Sequence, residues 1–317
     1  MTKRVLLASP RGFCAGVERA VETVERALAL HGAPVFVRKQ IVHNVHVVRD
    51  LEERGAVFVE SEHDAPAGAV LVLSAHGVAP SVYANADRRR QRTIDATCPL
   101  VSKVHAEARS YAQAGFTVVL VGHEGHEEVV GTRGEAPETT VVVGTVAEAE
   151  ALSVPDPERV AFVTQTTLSL DETAEILAVL RRRFPAIQGP QKDDICYATT
   201  NRQQAVKDLL PEIDLLLVVG SANSSNSNRL VDVARSAGVP AHLIEDAAAI
   251  DEAWLDGVDT VGLTSGASAP ERLVVEVCAW FRARGVSRFG QLGTVVEDIA
   301  FRLPPGLRQV AAATPAA

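Results

Sequence analysis

Four cysteines are the first candidates for chemistry in this sequence. Cys14, Cys98 and Cys196 each stand directly before an apolar pattern of helical period. Cys278 lies inside the helical pattern ERLVVEVCAWFRAR, which predicts a thiol in the hydrophobic core. The short CxxC pair that is typical of structural zinc sites is absent from the sequence.

The three helix-preceding cysteines begin three copies of one plan. Each predicted helix leads to a strand and a polar loop at a similar distance: His43 follows Cys14 by 29 residues, His126 follows Cys98 by 28 and Asn226 follows Cys196 by 30. A second polar loop follows a later strand of each copy, and these loops contain His76, Thr166 and Ser268. Loops at the carboxyl ends of parallel strands would direct three thiols and six polar segments at one cavity.

Three thiolates without a fourth predict a metal centre with an open coordination position. Zinc with three thiolates is one possibility, although structural zinc sites are normally closed by four ligands. A [4Fe–4S] cluster suits the pattern better, because three thiolates leave one iron free to accept a substrate oxygen. Each thiol would stand at a helix N-terminus, where the helix dipole and unpaired N–H groups favour the thiolate.

The polar loops describe the ligand. They contain few basic side chains. Their compact donors lie on glycine-rich turns and are His43, His76, His126, Ser224, Ser225, Asn226 and Ser268. Such donors, together with helix N-termini, suit the oxygens of a phosphate or diphosphate. Neither GxxxxGKS nor GxGxxG occurs, so a nucleotide is not indicated. The loop GHEGHEEVVGT adds Glu124, Glu127 and Glu128 as candidate proton donors, and the pattern does not choose among them.

Short β-rich runs alternate with helical patterns along the chain, which predicts an α/β protein with largely parallel sheets. The repeat divides it into three similar α/β units at 1–97, 98–193 and 194–279, arranged around a common axis. The stretch GQLGTVVEDIAFRLPPGLRQV predicts one more strand or helix, so that residues 280–303 fold back onto the first unit. Residues 304–317 are predicted to form a flexible tail.

Composition restricts the class of protein. A net charge of −9 argues against a general nucleic-acid binder, and the runs RRRQR and RRR are interpreted as solvated helix ends. No apolar run reaches membrane-spanning length, and the first apolar run is too short for a signal peptide. The sequence therefore predicts a cytoplasmic monomer without a membrane or nucleic-acid partner.

Nine segments of the sequence, taken together, are specific enough to indicate a known family. The segments that carry the resemblance are PRGFCAGVERAV, IVHN, SAHGV, DATCPLV, GHEGHEEVVGT, TQTTLS, DDICYATTNRQ, GSANSSNSNRL and GASAPE. In order and spacing they resemble the 4-hydroxy-3-methylbut-2-enyl diphosphate reductases, enzymes of the methylerythritol phosphate route to isoprenoids. The resemblance covers residues 4 to 300 approximately.

This resemblance implies a fold, an activity and the roles of single residues. The implied fold is a pseudo-threefold trefoil of the three α/β units around a central iron–sulfur site. It implies that a [4Fe–4S] cluster on Cys14, Cys98 and Cys196 and two external electrons remove the substrate hydroxyl, giving isopentenyl and dimethylallyl diphosphate. The resemblance also implies an electron donor such as a ferredoxin or flavodoxin. Glu128 matches the family's proton-delivering glutamate and Thr166 the threonine that bonds the substrate hydroxyl, while the diphosphate maps onto the seven loop donors and Thr199 supports the network. Glu127 replaces a common proline, and its charge is expected to raise the proton affinity of Glu128.

Two other functions remain open on the residues alone. One is an iron–sulfur hydro-lyase, in which the open iron acts only as a Lewis acid and no external electrons are consumed. The other is a cluster-containing sensor that binds a phosphorylated metabolite without converting it. The sequence contains no recognisable output module for a sensor, and a sensor would give Glu128 and Thr166 no purpose.

Overall fold

The computed structural model describes residues 2 to 308, in which parallel β-sheets alternate with α-helices along the chain. The strands are β1 (Arg4–Ala8), β2 (Val35–Arg38), β3 (Ala56–Val59), β4 (Val70–Leu73), β5 (Arg92–Asp95), β6 (Thr117–Val121), β7 (Thr140–Val143), β8 (Val160–Thr164), β9 (Leu215–Val219), β10 (Ala241–Ile244), β11 (Thr260–Ser265) and β12 (Arg288–Leu292). The helices are α1 (Ala15–His31), α2 (Val45–Glu53), α3 (Pro80–Arg88), α4 (Pro99–Gln113), α5 (Glu127–Arg133), α6 (Val146–Ala151), α7 (Leu170–Arg183), α8 (Tyr197–Leu209), α9 (Ser225–Ser236) and α10 (Glu271–Ala283). The predicted α/β class with parallel sheets is confirmed.

The chain divides into two compact units. Of the described residues, the first unit contains 2–17, 43–47 and 197–300, and the second contains 18–42, 48–196 and 301–308. The predicted boundaries of three α/β units stay a prediction.

The first unit is built on one five-stranded parallel sheet with the order β10-β9-β11-β1-β12. Strand β9, with the sequence LLLVV, is buried at every position, as expected for a parallel strand covered on both faces. Its alternate residues serve two cores: Leu216 and Val218 pack with residues of α8 and α9, whereas Leu217 packs with residues of α10. The period of the strand therefore joins two helical layers through one sheet.

One strand of this sheet, β1, comes from a distant part of the chain. Strand β1 pairs in parallel with β11 and with β12, so the first strand of the sequence lies inside a sheet made mainly of residues 215 to 292. Of the stretch that the sequence left as a strand or a helix, the first three residues, 290–292, belong to β12, which ends at Leu292. Residues Gly293 to Ala300 continue without regular structure.

The second unit contains two parallel sheets, with the orders β3-β2-β4-β5 and β7-β6-β8. Strand β4 is buried throughout, and four of the five residues of β6 are buried. The sequence analysis missed the edge strand β5, because its end residues Arg92 and Asp95 are exposed and it lacks an apolar pattern.

Each of the three helix-preceding cysteines lies where the sequence predicted. Cys14 stands directly before α1, Cys98 is the N-cap of α4 with Pro99 at the first helical position, and Cys196 stands directly before α8. Gly32 follows the end of α1, and α4 ends at Gln113, two residues before Gly115. The common placement of the three thiols is therefore confirmed.

Smaller expectations also have an outcome. Cys278 lies in the core between α10 and the five-stranded sheet, as predicted. The arginine runs lie at the ends of α3 and α7. Of the predicted tail, residues 309–317 lie outside the described residues, whereas Pro305–Leu307 form a 3₁₀ turn in which Leu307 is buried. No helix among residues 2–308 is both long enough and apolar enough to span a membrane.

Candidate functional site

The predicted site residues follow the carboxyl ends of strands. In the five-stranded sheet, Cys14 follows β1, Ser224 follows β9 and Ser268 follows β11, and these three strands are neighbours. In the second unit, His76 follows β4, Cys98 follows β5, His126 follows β6 and Thr166 follows β8. Because neighbouring parallel strands end at the same edge of a sheet, this connectivity groups the polar residues of each sheet.

In the first unit, the hydroxyl of Ser224 is the centre of a hydrogen-bonded cluster. Ser224 is the N-cap of α9, and its Oγ accepts hydrogen bonds from the Ser227 N–H at 3.4 Å and from the Asn226 amide at 2.9 Å. The hydroxyls of Ser224 and Ser268 lie 3.3 Å apart, and Ser268 donates to the carbonyl oxygen of His43 at 3.0 Å. We call Ser224, Ser225, Asn226, Ser268 and His43 the serine cluster.

Asn226 joins two loops of the serine cluster. Its side-chain oxygen accepts a hydrogen bond from the Ala267 N–H at 2.7 Å, while its amide nitrogen donates to Ser224. The loop after β11 is therefore held to the N-terminus of α9. Ser225 and Asn226 are half-buried, and Ser224 and Ser268 are buried. The cluster thus presents oriented uncharged donors together with the first N–H groups of a helix.

His43 is the one imidazole of the serine cluster, and it is neutral at pH 7. Burial lowers its pKa to about 4, because the charged imidazolium loses hydration there. The Asn223 amide lies 3.4 Å from its Nδ1. A neutral imidazole donates through one nitrogen only, so His43 contributes direction and not permanent charge.

Cys14 lies in a loop with special backbone geometry. Gly12 has φ +73°, and its N–H donates to Ser265 Oγ at 2.9 Å. The Cys14 N–H donates to the Ala267 carbonyl oxygen at 3.3 Å, and the next N–H, that of Ala15, donates to the Tyr197 hydroxyl at 3.2 Å. A side chain at Gly12 would therefore strain the turn that leads into the cysteine.

The protonation of Cys14 depends on burial as well as on its place before a helix. Burial raises the pKa of its thiol overall, and the N–H groups of Val17 and Gly16 oppose this rise, as the helix position predicted. The protein alone therefore favours the neutral thiol. A metal cation would supply the missing positive charge, since coordination deprotonates a thiol.

In the second unit, hydrogen bonds of the backbone N–H groups hold the other two cysteines, Cys98 and Cys196. The Cys98 N–H donates to the Ala75 carbonyl oxygen at 3.0 Å, next to His76, and the Cys196 N–H donates to the Thr166 carbonyl oxygen at 3.0 Å. Both cysteines are half-buried, and neither forms a disulfide. Within this unit, the backbone of each of these cysteines is thus hydrogen-bonded to a loop that contains another predicted site residue.

Glu128 and Thr166 form a buried acid–hydroxyl pair in the second unit. Glu128 Oε1 accepts a hydrogen bond from the Thr166 N–H at 2.6 Å, and Oε2 accepts one from the Thr166 hydroxyl at 2.9 Å. Glu128 is 2% exposed. Burial raises its pKa to about 7, and the negative charge of Asp194 adds to the rise, whereas the two bonds from Thr166 oppose it. Glu128 can therefore hold and release a proton near neutral pH.

The structure distinguishes the three candidate acids of the histidine loop. The Glu124 side chain is 84% exposed, whereas Glu127 lies 3.4 Å from Lys39 Nζ and 3.9 Å from an Arg38 nitrogen. The expectation that Glu127 raises the proton affinity of Glu128 is wrong, because burial and Asp194 account for the rise. Two neighbouring cations compensate the charge of Glu127.

Two histidines lie beside this acid in the second unit. His126 is the N-cap of α5, where its Nδ1 accepts a hydrogen bond from the Glu128 N–H at 3.2 Å. The rings of His76 and His126 meet edge to face with centroids 5.9 Å apart. The side chains of two separate sheets therefore meet close to Glu128. Thr199 belongs to the first unit, where it is buried in the first turn of α8.

The sequence analysis missed three polar residues next to these groups. Asp194 is buried and accepts a hydrogen bond from the Thr164 N–H at 2.9 Å, Gln165 accepts one from the His123 N–H at 3.1 Å, and Arg202 is 1% exposed. Asp194 and Arg202 stand in the quoted motif DDICYATTNRQ, two residues before and six residues after Cys196. An ionisable residue so close to a predicted ligand was the available signal.

The chemistry of the donor set fits a cluster with one open iron. Three cysteines that form no disulfide each precede a helix, while the fourth cysteine is part of the core. In the chain from residue 2 to residue 308, no group of three or more His, Cys, Asp or Glu side chains could hold a single metal ion. A cubane has a different requirement, because each of its irons takes its own ligand.

The chain is similar to known proteins over nearly its whole length. It is 59% identical over 308 residues to the 4-hydroxy-3-methylbut-2-enyl diphosphate reductase of Acidothermus cellulolyticus, covering 97% of this chain and 91% of that protein. It is 57% identical over 307 residues to a protein named 4-hydroxy-3-methylbut-2-enyl diphosphate reductase 2 from Mycobacterium tuberculosis, covering 96% of this chain and 92% of that one.

A solved structure supports the same assignment. The E-1-hydroxy-2-methyl-but-2-enyl-4-diphosphate reductase of Plasmodium falciparum superposes with a TM-score of 0.92 at 38% identity, covering 97% of both chains. A family model described as LytB protein matches residues 5–282. The chain therefore belongs to the LytB protein family.

Proposed function

We propose that this chain removes the allylic hydroxyl of 4-hydroxy-3-methylbut-2-enyl diphosphate by reduction, giving isopentenyl diphosphate and dimethylallyl diphosphate. The reaction consumes two electrons and two protons and releases water. Membership of the LytB family and the names of the relatives support this activity. It is the terminal step of the methylerythritol phosphate route.

The observation that carries the proposal at the level of residues is the buried pair of Glu128 and Thr166. A carboxyl group with a pKa of about 7 can donate a proton at the pH of a cell. The Thr166 hydroxyl, 2.9 Å from Glu128, can hydrogen-bond a substrate hydroxyl and pass a proton along the same line. We assign Glu128 as the proton donor and Thr166 as the residue that orients the leaving hydroxyl.

Cys14, Cys98 and Cys196 are proposed to hold a [4Fe–4S] cluster. When bound, the cluster supplies one-electron transfer and one iron without a protein thiolate. The backbone bonds of the three cysteines orient the thiols, and the helix N-termini direct N–H groups at them. The net rise in the pKa of Cys14 is compatible with this role, because a buried thiolate requires a nearby cation.

The diphosphate is proposed to bind the compact donors of the loops. These are the serine cluster of the first unit and His76 and His126 of the second, with Thr199 in support. The hydrogen bonds within the serine cluster hold its donors in place before a ligand arrives, which lowers the ordering cost of binding. A diphosphate would exchange the hydroxyl–hydroxyl bonds for charge-assisted ones, which are the stronger kind.

The reductant is proposed to be a small one-electron carrier of the ferredoxin or flavodoxin type. None of the four cysteines forms a disulfide, which suits the reducing cytoplasm, where we place the protein as a monomer. A hydro-lyase would need no reductant, and a sensor would need no proton donor. The pair of Glu128 and Thr166 therefore favours the reductase over the sensor.

The test is an anaerobic assay of reconstituted protein. Iron and sulfide are counted first, and the hydroxylated allylic diphosphate is then supplied with and without a one-electron donor. We expect C5 diphosphate products only with the donor. Turnover without any reductant would establish the hydro-lyase instead, and binding without turnover would establish the sensor.

A further inference from the structure

Each of the three helices that begin at a cysteine carries a basic residue at a similar depth, five or six positions after the cysteine. Arg19 follows Cys14 by five residues, Lys103 follows Cys98 by five and Arg202 follows Cys196 by six. Such a residue lies between one and two turns into its helix. None of the three has a role in the function proposed above.

Arg19, on the helix of Cys14, contacts the loop that leads into Cys98. Its Nη1 donates to the carbonyl oxygen of Thr97 at 2.9 Å and its Nη2 to that of Asp95 at 3.3 Å. Its Nε donates to the carbonyl oxygen of Arg302 at 2.8 Å. Thr97 is the residue directly before Cys98. The cationic side chain therefore fixes the last peptide group ahead of that thiol.

Lys103, on the helix of Cys98, contacts the loop that leads into Cys196. Its Nζ donates to the Lys192 carbonyl oxygen at 2.7 Å and to Asp194 Oδ1 at 2.7 Å. The Asp194 side chain is fully buried and also accepts a hydrogen bond from the Thr164 N–H at 2.9 Å. Lys103 thus holds residues two and four positions before that thiol.

Arg202, on the helix of Cys196, contacts the loop that leads into Cys14. Its Nη2 donates to the carbonyl oxygens of Gly12 at 2.8 Å and Phe13 at 3.4 Å, the two residues directly before Cys14. Its guanidinium also pairs with Glu297, at 3.0 Å. Arg202 is buried, so its charge is committed to these partners.

We propose that Arg19, Lys103 and Arg202 are positioning residues, each of which holds the loop of the next cysteine in the order Cys14, Cys98, Cys196 and back to Cys14. The inference rests on the proposed cluster-binding role of these cysteines. A basic side chain often satisfies a carbonyl oxygen somewhere. Here, however, all three stand at matching helix positions and all three reach the loop of a different cysteine, in one consistent order.

This arrangement has a purpose in cluster binding. The three thiols come from distant parts of the chain, so each loop must be held in place before the metal arrives. A helix that starts at one cysteine and holds the loop of the next makes the geometry of each ligand depend on that of its predecessor. Charge-assisted bonds to carbonyl oxygens are suitable for this because they are strong and directional.

The decisive experiment measures amide hydrogen exchange in cluster-free protein, where no result depends on metal. The variants are Arg19→Met and Lys103→Met, which keep an unbranched apolar stem and remove the donors, and Arg202→Lys, which keeps the buried charge. Matched controls are Arg26→Gln on α1 and Lys207→Gln on α8. Thermal unfolding of each variant shows whether it remains folded.

The expected pattern is crossed. Arg19→Met accelerates exchange at residues 95–98 and not around Cys14, and Lys103→Met accelerates it at residues 192–196 and not around Cys98. Arg202→Lys accelerates it at residues 12–14 and not around Cys196. Loss of a charge-assisted hydrogen bond predicts roughly ten-fold faster exchange for the methionine variants, and a smaller change for Arg202→Lys. Acceleration at the cysteine of the variant's own helix, or equally at all three, would overturn the inference.

A second readout uses reconstituted protein. All three variants should lose iron to a chelator faster than the wild type, and the two controls should not. A wild type that binds no cluster would overturn the proposed function. A wild type that binds a cluster, with variants that release iron at the wild-type rate, would overturn only the positioning role.

Discussion

The serine cluster of the first unit and the Glu128–Thr166 pair of the second use the same backbone plan for opposite electrostatic purposes. Both follow buried parallel strands, and both include the N-terminus of a helix, α9 or α5. The serine cluster contains hydroxyls, an amide and a neutral imidazole, and therefore has no fixed charge of its own. The pair contains one carboxyl group whose burial raises its pKa to about 7.

The difference shows how burial assigns roles. Buried uncharged donors keep their hydrogen-bonding capacity at any pH, so they suit an anion that brings its own charge. Loss of hydration destabilises the charged form of a buried carboxyl group, so the group retains a proton that it can deliver. One region is thus suited to receive charge and the other to transfer a proton.

Removing a cluster ligand should have the largest effect and should abolish the activity to which both regions contribute. Cys14→Ser, Cys98→Ser or Cys196→Ser is expected to lose the cluster, because a serine hydroxyl is a poor substitute for a thiolate on iron. Iron and sulfide analysis and the cluster absorbance measure this. Cys278→Ser is the control: it should keep the cluster and lose roughly 1–2 kcal/mol of stability, through a buried hydroxyl. Full occupancy in a ligand variant would contradict the assignment.

Glu128→Gln should affect only the region that transfers a proton. The amide keeps the shape and a hydrogen bond to Thr166 but cannot donate a proton as an acid, so turnover should fall roughly 10²- to 10⁴-fold. Iron content and diphosphate affinity should remain. Glu124→Gln, on the exposed neighbour, is the matched control and should be near normal. Near-normal turnover of Glu128→Gln would refute the role of the acid.

The pH dependence should separate the two regions further. Because the folded-state pKa of Glu128 is raised above its ordinary value of 4.5 to about 7, the protonated acid is favoured in the folded protein. Its contribution to stability is full below pH 4.5 and is lost as pH rises through 7. Turnover that depends on the acid should fall on the same alkaline limb. Glu128→Gln should flatten both profiles, and a wild-type stability curve that is flat between pH 5 and 8 would count against the raised pKa.

Ser224→Ala should weaken the serine cluster without touching proton transfer. The variant loses the N-cap of α9 and the acceptor of the Asn226 amide, so a stability loss of about 1 kcal/mol is expected, together with a higher KM for the diphosphate. The alkaline limb of turnover should stay where it is. Ser236→Ala, at the exposed end of the same helix, controls for the helix itself. A shifted pH profile would show that the two regions are not separable.

His43 should give the smallest signal. Its pKa is about 4 without ligand, and a nearby diphosphate would raise that pKa by stabilising the imidazolium. Binding near pH 5 should therefore take up part of a proton. Calorimetry in buffers of different ionisation enthalpy measures the uptake, and the His43→Asn variant should show none beyond that of the diphosphate itself. Equal uptake in the two proteins would place the ligand away from His43.

Much of the local structure was predictable. The cysteines, their helices and the polar loops follow from periodicity and repeated spacing, which are local properties of a chain. Strand β5 was missed because an edge strand with exposed charged ends has no apolar pattern. The place of β1 beside β11 was also beyond the sequence, because pairing between strands so distant in the chain depends on the folding of the residues between them.

The sequence by itself determined which residue types precede each helix and which loops are rich in donors, since those features depend on neighbours along the chain. Only the tertiary structure decided which of three glutamates is buried, and that Glu127 is compensated by Lys39 and Arg38. It also decided which loops Arg19, Lys103 and Arg202 reach. Burial and charge pairing depend on groups that are remote in sequence, and the periodicity of a chain does not record them.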